Sequence, residues 1–107
     1  MNFDKFFEEE IKTGWGSPVE VERRNRIRLS VAAYAYEFQS DSIMSDGDFD
    51  ALALTINKDM STDNEEMDRF FREEFEPNTG QWIHAHPNLQ GIERLYVRYS
   101  KTRRKRK

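Results

Sequence analysis

The stretch that decides the fold is SPVEVERRNRIRLSVAAYAYEFQ, residues 17–39. Ser17, Pro18 and Glu20 form a capping box with proline at the first helical position, which predicts the start of a helix. The helix is expected to run to about Gln39, and its charged run ERRNR, residues 22–26, is expected to face solvent. Apolar residues at helical spacing predict its buried stripe: Ile27, Val31, Tyr34, Ala35 and Phe38.

Two further helix starts are predicted downstream. Ser45 stands three residues before Asp48, and Asp63 three before Glu66, as in capping boxes. The polar run NKDMSTDN, residues 57–64, is expected to be the loop between these helices. Apolar residues predict one face for each helix: Phe49, Leu52, Ala53 and Ile56 in the first, and Met67, Phe70, Phe71 and Phe75 in the second.

Helical spacing also occurs at both ends of the chain. The N-terminal pattern consists of Phe3, Phe6, Phe7 and Ile11, with Gly14 as a stop. The C-terminal pattern consists of Leu89, Ile92, Tyr96 and Tyr99. Residues 88–100 also fit a strand, because Leu95, Val97 and Tyr99 alternate along the chain and include strand-forming residue types. We favour a helix, because Pro87 suits the first position of one.

The predicted architecture is therefore all-α. We expect one compact domain of four or five helices with short loops over residues 1–100, in a chain whose 107 residues allow one modest core. Aromatic residues make up 13%, which argues against disorder of the domain. Residues 101–107, KTRRKRK, offer nothing to bury and are expected to form a flexible, disordered basic tail.

Composition restricts the environment and the chemistry. The chain has no cysteine, which excludes disulfides and thiolate metal sites. No apolar run approaches the roughly 20 residues of a membrane span, and the acidic start MNFDKFFEEEI is unlike a signal peptide. We expect a cytoplasmic protein of a bacterial host cell with no membrane partner.

Charge is segregated along the chain. Residues 41–76 carry three Lys/Arg against twelve Asp/Glu, whereas residues 77–107 carry eight against one. Such asymmetry points to charged partners. The basic end is the strongest partner signal, and it predicts contact with DNA or RNA phosphates. Its cations are Arg94, Arg98, Lys101, Arg103, Arg104, Lys105, Arg106 and Lys107. Alternatively, the tail solubilises the chain or docks on the acidic segment.

Three alternating aspartates, Asp46, Asp48 and Asp50, invite a metal interpretation. They match positions 1, 3 and 5 of an EF-hand loop, but the glycine needed at position 6 is Ala51 and the glutamate needed at position 12 is Asn57. Acidic residues also suit a helix N-terminus, where they complement the helix dipole. Helix initiation is thus the simplest role for Asp48, and Asp46 and Asp50 remain candidates for binding.

The segment YAYEFQSDSIMSDGDFDAL, residues 34–52, resembles the nicotinamide-recognition segment of NAD-dependent bacterial DNA ligases. The resemblance implies that Tyr36, Asp46 and Asp50 occupy positions that hold nicotinamide mononucleotide in the family. Phe49 replaces a family tyrosine and Glu37 a family histidine or tyrosine. The first change removes a hydroxyl and the second adds a negative charge near a phosphate position.

Small bacteriophage accessory proteins with an S-D-x-x-[YF]-D-x-L core resemble the whole chain better than a ligase does. That resemblance implies binding directed at a host or phage protein. The ligase resemblance covers under a fifth of the chain, which lacks the family's separate adenylation domain.

The rest of the sequence contains no recognisable signature of a catalytic site. His84 and His86 lack the third His or Cys ligand that zinc sites usually need. No serine sits in a nucleophile signature. Our leading hypothesis is a non-enzymatic interaction protein with an acidic helical face, tail-assisted nucleic-acid contact, no cofactor and no metal. The alternative is a nucleotide-binding domain around Tyr36, Asp46, Phe49 and Asp50, and a weaker third idea is DNA mimicry.

Overall fold

A computed structural model describes residues 3, 5–7 and 16–104 of the chain, with side chains up to residue 102. Phe3, Phe6 and Phe7 lie in helical backbone, whereas Ile11 and the predicted stop at Gly14 lie outside the described residues. Within the described residues the fold is all-α, as predicted, and contains no strand. Its helices are α1 (Pro18–Gln39), α2 (Asp46–Thr55), α3 (Glu65–Glu73), a 3₁₀ helix (Gln81–Ala85) and α4 (Leu89–Arg104).

The predicted bounds of α1 are confirmed. The Ser17 hydroxyl accepts a hydrogen bond from the Glu20 backbone N–H at 3.3 Å, and Pro18 occupies the first turn. At the other end Ser40 adopts a left-handed conformation with φ of 50°, and its N–H donates to the Ala35 carbonyl. This left-handed cap ends the helix and turns the chain toward α2.

The start of α2 is confirmed, but that of α3 was predicted one residue too early. The Ser45 hydroxyl accepts from the Asp48 N–H at 3.1 Å. In α3 the cap is Asn64, whose side-chain oxygen accepts from the Met67 N–H at 3.2 Å. Asp63 has a φ of 61°, a left-handed conformation that differs from the extended backbone of a cap residue.

Residues 88–100 are helical, which confirms the choice of helix over strand. Asn88, rather than Pro87, precedes α4, and its side-chain oxygen accepts from the Gly91 N–H at 3.2 Å. Pro87 therefore lies outside the helix and not at its first position. The helix runs on to Arg104, so the backbone of residues 101–104 is helical, and residues 105–107 lie outside the described residues.

Side chains from every described helix, and from the N-terminal phenylalanines, meet in one hydrophobic core. Its centre is an aromatic cluster with ring centroids 5.1–6.1 Å apart, formed by Phe70, Phe71, Phe75 and Trp82. Phe3 and Phe6 each contact Tyr99 on α4 with centroids 5.4 Å apart. Of the predicted α1 stripe, Val31, Tyr34 and Ala35 are buried, Ile27 is half-buried and Phe38 is 42% exposed.

The expectation that the whole ERRNR run faces solvent was wrong, because Glu22 and Arg26 are buried. Arg26 Nε donates to Glu22 at 2.7 Å, and its Nη1 donates to Asp68 on α3 at 2.8 Å. Its Nη2 donates to the carbonyls of Asn57 at 2.8 Å and Met60 at 3.3 Å. Buried charges persist where they are paired and hydrogen-bonded, and here one carboxylate comes from α1 itself, whereas the other partners come from α3 and the loop before it.

The carboxylates of this network also bind the loop between α2 and α3. Glu22 accepts from the Asn57 N–H at 3.0 Å, and Asp68 accepts from the Thr62 N–H at 2.8 Å and hydroxyl at 2.6 Å. Burial acts to raise the pKa of Asp68, but the hydrogen bonds from Thr62 and Arg26 outweigh it and hold that pKa below its usual value. The network therefore joins α1, α3 and the intervening loop.

Candidate functional site

The end of α1 and the start of α2 form the walls of one groove. Between them the chain reverses direction within a few residues, because Ser40 is left-handed and the Ser42 hydroxyl donates to the Met44 carbonyl at 3.1 Å. The Asp41 carboxylate accepts a hydrogen bond from the Tyr96 hydroxyl at 2.7 Å, which ties this turn to α4. The last turn of α1 thereby faces the first turns of α2.

All four residues predicted as a nucleotide site line this groove, whose volume is about 310 Å³: Tyr36, Asp46, Phe49 and Asp50. Tyr36 is 65% exposed, and Asp46 and Asp50 are also exposed. Phe49 is half-buried and packs against the core. Residues 78–81, which precede and begin the 3₁₀ helix, form part of the lining. The sequence pattern thus found residues that share one surface.

The charge of the groove is acidic. Glu37, Asp46 and Asp50 bring three carboxylates to its lining, and the described lining residues contain no lysine or arginine. Phosphate groups would be repelled here, whereas a cation would be attracted. Asp48, the fourth acid of this region, is absent from the described lining, and its N–H donates to the Ser45 cap. We name the surface formed by Tyr36, Glu37, Asp46, Phe49 and Asp50 the acidic groove.

The two histidines lie in different environments. His84 is exposed, its Nε2 is 3.0 Å from Glu37 Oε1, and its ring packs on Phe38 with centroids 4.7 Å apart. His86 is buried, and burial lowers its pKa to about 4. No group of three or more His, Asp or Glu side chains within residues 3, 5–7 and 16–102 is arranged to hold a metal ion.

Five of the eight predicted nucleic-acid contacts lie along α4. Arg94, Arg98 and Lys101 are exposed and recur at helical spacing, so they share one face of the helix. Arg103 and Arg104 continue the helical backbone. The remaining cations, Lys105, Arg106 and Lys107, lie outside the described residues. We name Arg94, Arg98 and Lys101 the basic stripe.

Sequence reasoning missed the buried ionic network of Glu22, Arg26 and Asp68. One signal was present, since Glu22 and Arg26 precede Leu29 and Ala33 at spacings of four, three and four, on one helix face. That face is buried. A charged pair that continues an apolar face at helical spacing is a sign of buried charge.

Comparison of the chain with protein-family models, curated proteins and solved structures finds no match. None of the helices in the described part of the chain combines the length and the apolar composition needed to cross a membrane.

Proposed function

We propose that this is a small, non-enzymatic accessory protein, encoded by a bacteriophage, that acts in the cytoplasm of the bacterial host cell. Its acidic groove binds a basic segment of a host or phage protein. The observation that carries the proposal is the convergence of Glu37, Asp46 and Asp50 on one groove that also presents the exposed ring of Tyr36.

The chemistry of the groove suits a lysine or arginine side chain. Asp46 and Asp50 accept hydrogen bonds from the cationic head, and Glu37 adds a third negative charge. The exposed face of Tyr36 supports a cation–π contact, worth about 0.5–1 kcal/mol at exposed sites. Because the carboxylates of Asp46 and Asp50 are exposed, added salt screens them, and the affinity for the partner falls as ionic strength rises.

The groove is tested by neutralising its charge without changing its shape. The variant Glu37→Gln/Asp46→Asn/Asp50→Asn is compared with the wild-type chain in affinity purification from the bacterial host. The expected result is a protein partner that the wild-type chain retains and the variant loses.

A matched control removes three negative charges elsewhere. Asp59, Glu65 and Glu66 are exposed and lie outside the acidic groove, and the two glutamates are first-turn acids like Asp46. The variant Asp59→Asn/Glu65→Gln/Glu66→Gln is expected to retain the partner. Equal recovery by all three chains, or recovery of no partner by the wild-type chain, contradicts the proposal.

The basic stripe and the residues after it supply the nucleic-acid contact of this proposal. Residues 77–107 contain eight cationic residues and one acidic residue, Glu93. Their contact with phosphates is independent of base sequence and weakens steeply with salt. Gel shifts with single-stranded DNA and RNA at low salt, using chains with and without residues 101–107, are expected to show tail-dependent binding. Identical shifts for the two chains contradict this part.

A second candidate function is nucleotide binding. It is favoured by one observation, that Tyr36, Asp46, Phe49 and Asp50, the positions that the ligase resemblance singles out, line one groove. Glu37 in the same lining disfavours a phosphate, so a nicotinamide nucleoside suits the groove better than NAD or nicotinamide mononucleotide.

Calorimetry with nicotinamide riboside, nicotinamide mononucleotide and NAD tests this function. The expected order places the riboside first, and the variant Glu37→His/Phe49→Tyr is expected to gain affinity for the mononucleotide, since it removes a charge and restores a hydroxyl. Absence of heat at millimolar concentrations of all three ligands, with both chains, ends this candidate.

A further inference from the structure

A second cavity of about 270 Å³ lies among α1, α3 and α4, and it shares no described lining residue with the acidic groove. Its wall is mainly apolar and includes Ile27, Met67, Phe71, Ile92 and Leu95. An apolar cavity of about 150 Å³ in a protein core is large enough to stay dry and bind benzene. The cavity described here therefore has room for a two-ring molecule.

His86 supplies a polar atom to this apolar wall. Its side chain lines the cavity although the residue is only 7% exposed. Its Nδ1 accepts a hydrogen bond from the Asn88 N–H at 3.0 Å, so the ring proton of the neutral form lies on Nε2. Burial lowers the pKa of His86 to about 4, which keeps the ring neutral at pH 7.

The Nε2–H of His86 has no hydrogen-bond partner among the described residues. Its nearest ring neighbours are Phe70 and Phe71, whose centroids lie 5.2 and 6.5 Å away and whose rings are tilted by 63° and 87°. Nε2 is not fully enclosed by protein atoms, so an acceptor that enters the cavity can reach it. The site therefore offers one unused donor in apolar surroundings.

The arginines at the cavity are already engaged. Arg26 donates from Nε, Nη1 and Nη2, and the carboxylates of Glu22 and Asp68 balance its charge. Arg23 donates from Nε to the Thr62 carbonyl at 2.9 Å, and its Nη2 pairs with the Asp63 carboxylate at 3.8 Å. The wall thus provides no free cation for an anionic ligand, and the chemistry favours an uncharged one.

We propose that this cavity binds a neutral bicyclic heteroaromatic molecule whose ring nitrogen or carbonyl accepts a hydrogen bond from His86 Nε2–H. The rings of the ligand contact Phe71, Ile27 and Leu95, and the hydrogen bond fixes its orientation. This site is independent of the acidic groove, and its test does not depend on the function proposed for that groove.

The probe is quinoline, a neutral bicycle with a ring-nitrogen acceptor, and its matched control is naphthalene, which has the same shape without the nitrogen. Titrations of the full chain are followed by NMR through the methyl groups of Ile27, Ile92 and Leu95 and the ring nitrogens of His86. At concentrations at which naphthalene dissolves, quinoline is expected to bind about tenfold more tightly, the contribution of one hydrogen bond. The His86 Nε2 signal is expected to move with quinoline alone.

The variant His86→Asn places an amide oxygen where it accepts from Asn88 N–H, but it lacks a donor at the Nε2 position. It is expected to lower quinoline affinity about tenfold and leave naphthalene affinity unchanged. The control His84→Asn changes a neighbouring exposed histidine and is expected to leave both affinities unchanged.

Three results overturn the proposal. One is the absence of saturable methyl shifts with either probe. Another is equal affinity for quinoline and naphthalene, which indicates apolar filling without the hydrogen bond. The third is a His86 Nε2 signal that stays at its free position during quinoline binding, which indicates that Nε2–H is satisfied by water only. This signal is read in the wild-type chain, so the test survives if His86→Asn fails to fold.

Discussion

Replacing Arg26 by methionine is expected to destabilise the fold strongly, because it removes the centre of the buried ionic network. The change preserves much of the side-chain volume and deletes the charge. It leaves the carboxylates of Glu22 and Asp68 without their cation, and the carbonyls of Asn57 and Met60 without their donor. Breaking a buried ion pair by removing one partner costs about 3–5 kcal/mol.

The lower part of that range is expected here. Asp68 keeps two hydrogen bonds from Thr62, and Glu22 keeps one from the Asn57 N–H, so neither carboxylate is left bare. A loss of about 3 kcal/mol is a large part of the roughly 5–15 kcal/mol that stabilises a typical domain. At about 4 °C per kcal/mol, it lowers Tm by about 12 °C.

The measurement is urea unfolding followed by circular dichroism, with thermal unfolding as a second readout. The matched control is Arg69→Met, the same chemical change at an exposed arginine whose contact with Glu73 is 3.5 Å long. An exposed pair of this kind contributes about 1 kcal/mol or less. A loss for Arg26→Met as small as that for Arg69→Met would refute the reasoning.

The pH dependence of this loss gives an independent check. In the wild-type chain the pKa of Asp68 lies below its usual value, so its contribution to stability is complete above about pH 4 and is lost as pH falls through the lowered pKa. Without Arg26 that pKa rises, and the carboxylate is neutralised at a higher pH. The difference between the wild-type chain and Arg26→Met is therefore expected to narrow on acidification, and a constant difference would count against an ionic cause.

Three other perturbations have definite outcomes. His86 is buried with a pKa of about 4, below its unfolded value of about 6.5, so its contribution to stability is complete above pH 6.5. That contribution falls by about 2 kcal/mol between pH 7 and pH 5. Urea unfolding should show this loss in the wild-type chain and not in His86→Asn. Asn64→Ala is expected to cost about 1 kcal/mol of stability through loss of a helix cap. Asp63→Gly is expected to be neutral or stabilising, because Asp63 has a φ of 61°. Equal effects of the two variants in thermal unfolding would contradict the assignment of Asn64 as the cap. Tyr96→Phe removes the hydroxyl that donates to Asp41 at 2.7 Å and is expected to cost about 1.5–3 kcal/mol by chemical unfolding, with an unchanged midpoint as the contrary result.

The helices could be predicted where local signals decide them. Ser17 and Ser45 bind N–H groups three residues away, so sequence alone contains both partners. Asp63 and Asn64 are adjacent and both suit a cap, so the local pattern could not choose between them. In the structure the left-handed backbone of Asp63 differs from that of a cap residue, and Asn64 is the cap.

Long-range partners account for what the sequence concealed. Burial of Arg26 depends on Asp68, which is 42 residues away, and no helical period reports that distance. Burial of His86 likewise follows from the packing of Phe70 and Phe71 around it. In contrast, the sequence was sufficient to predict that Tyr36 and Asp46 line the same groove, because only a short turn separates the two helices that carry them.

The segment between α2 and α3 has little regular structure, yet its backbone is anchored in the interior by charge. The amides of Asn57 and Thr62 donate to Glu22 and Asp68, and the Asn57 carbonyl accepts from Arg26. A connection fastened in this way opens only when α1 and α3 separate. In deuterium exchange, the amides of Asn57 and Thr62 should therefore exchange as slowly as those of the helices, and a protease should spare this connection until the whole fold opens.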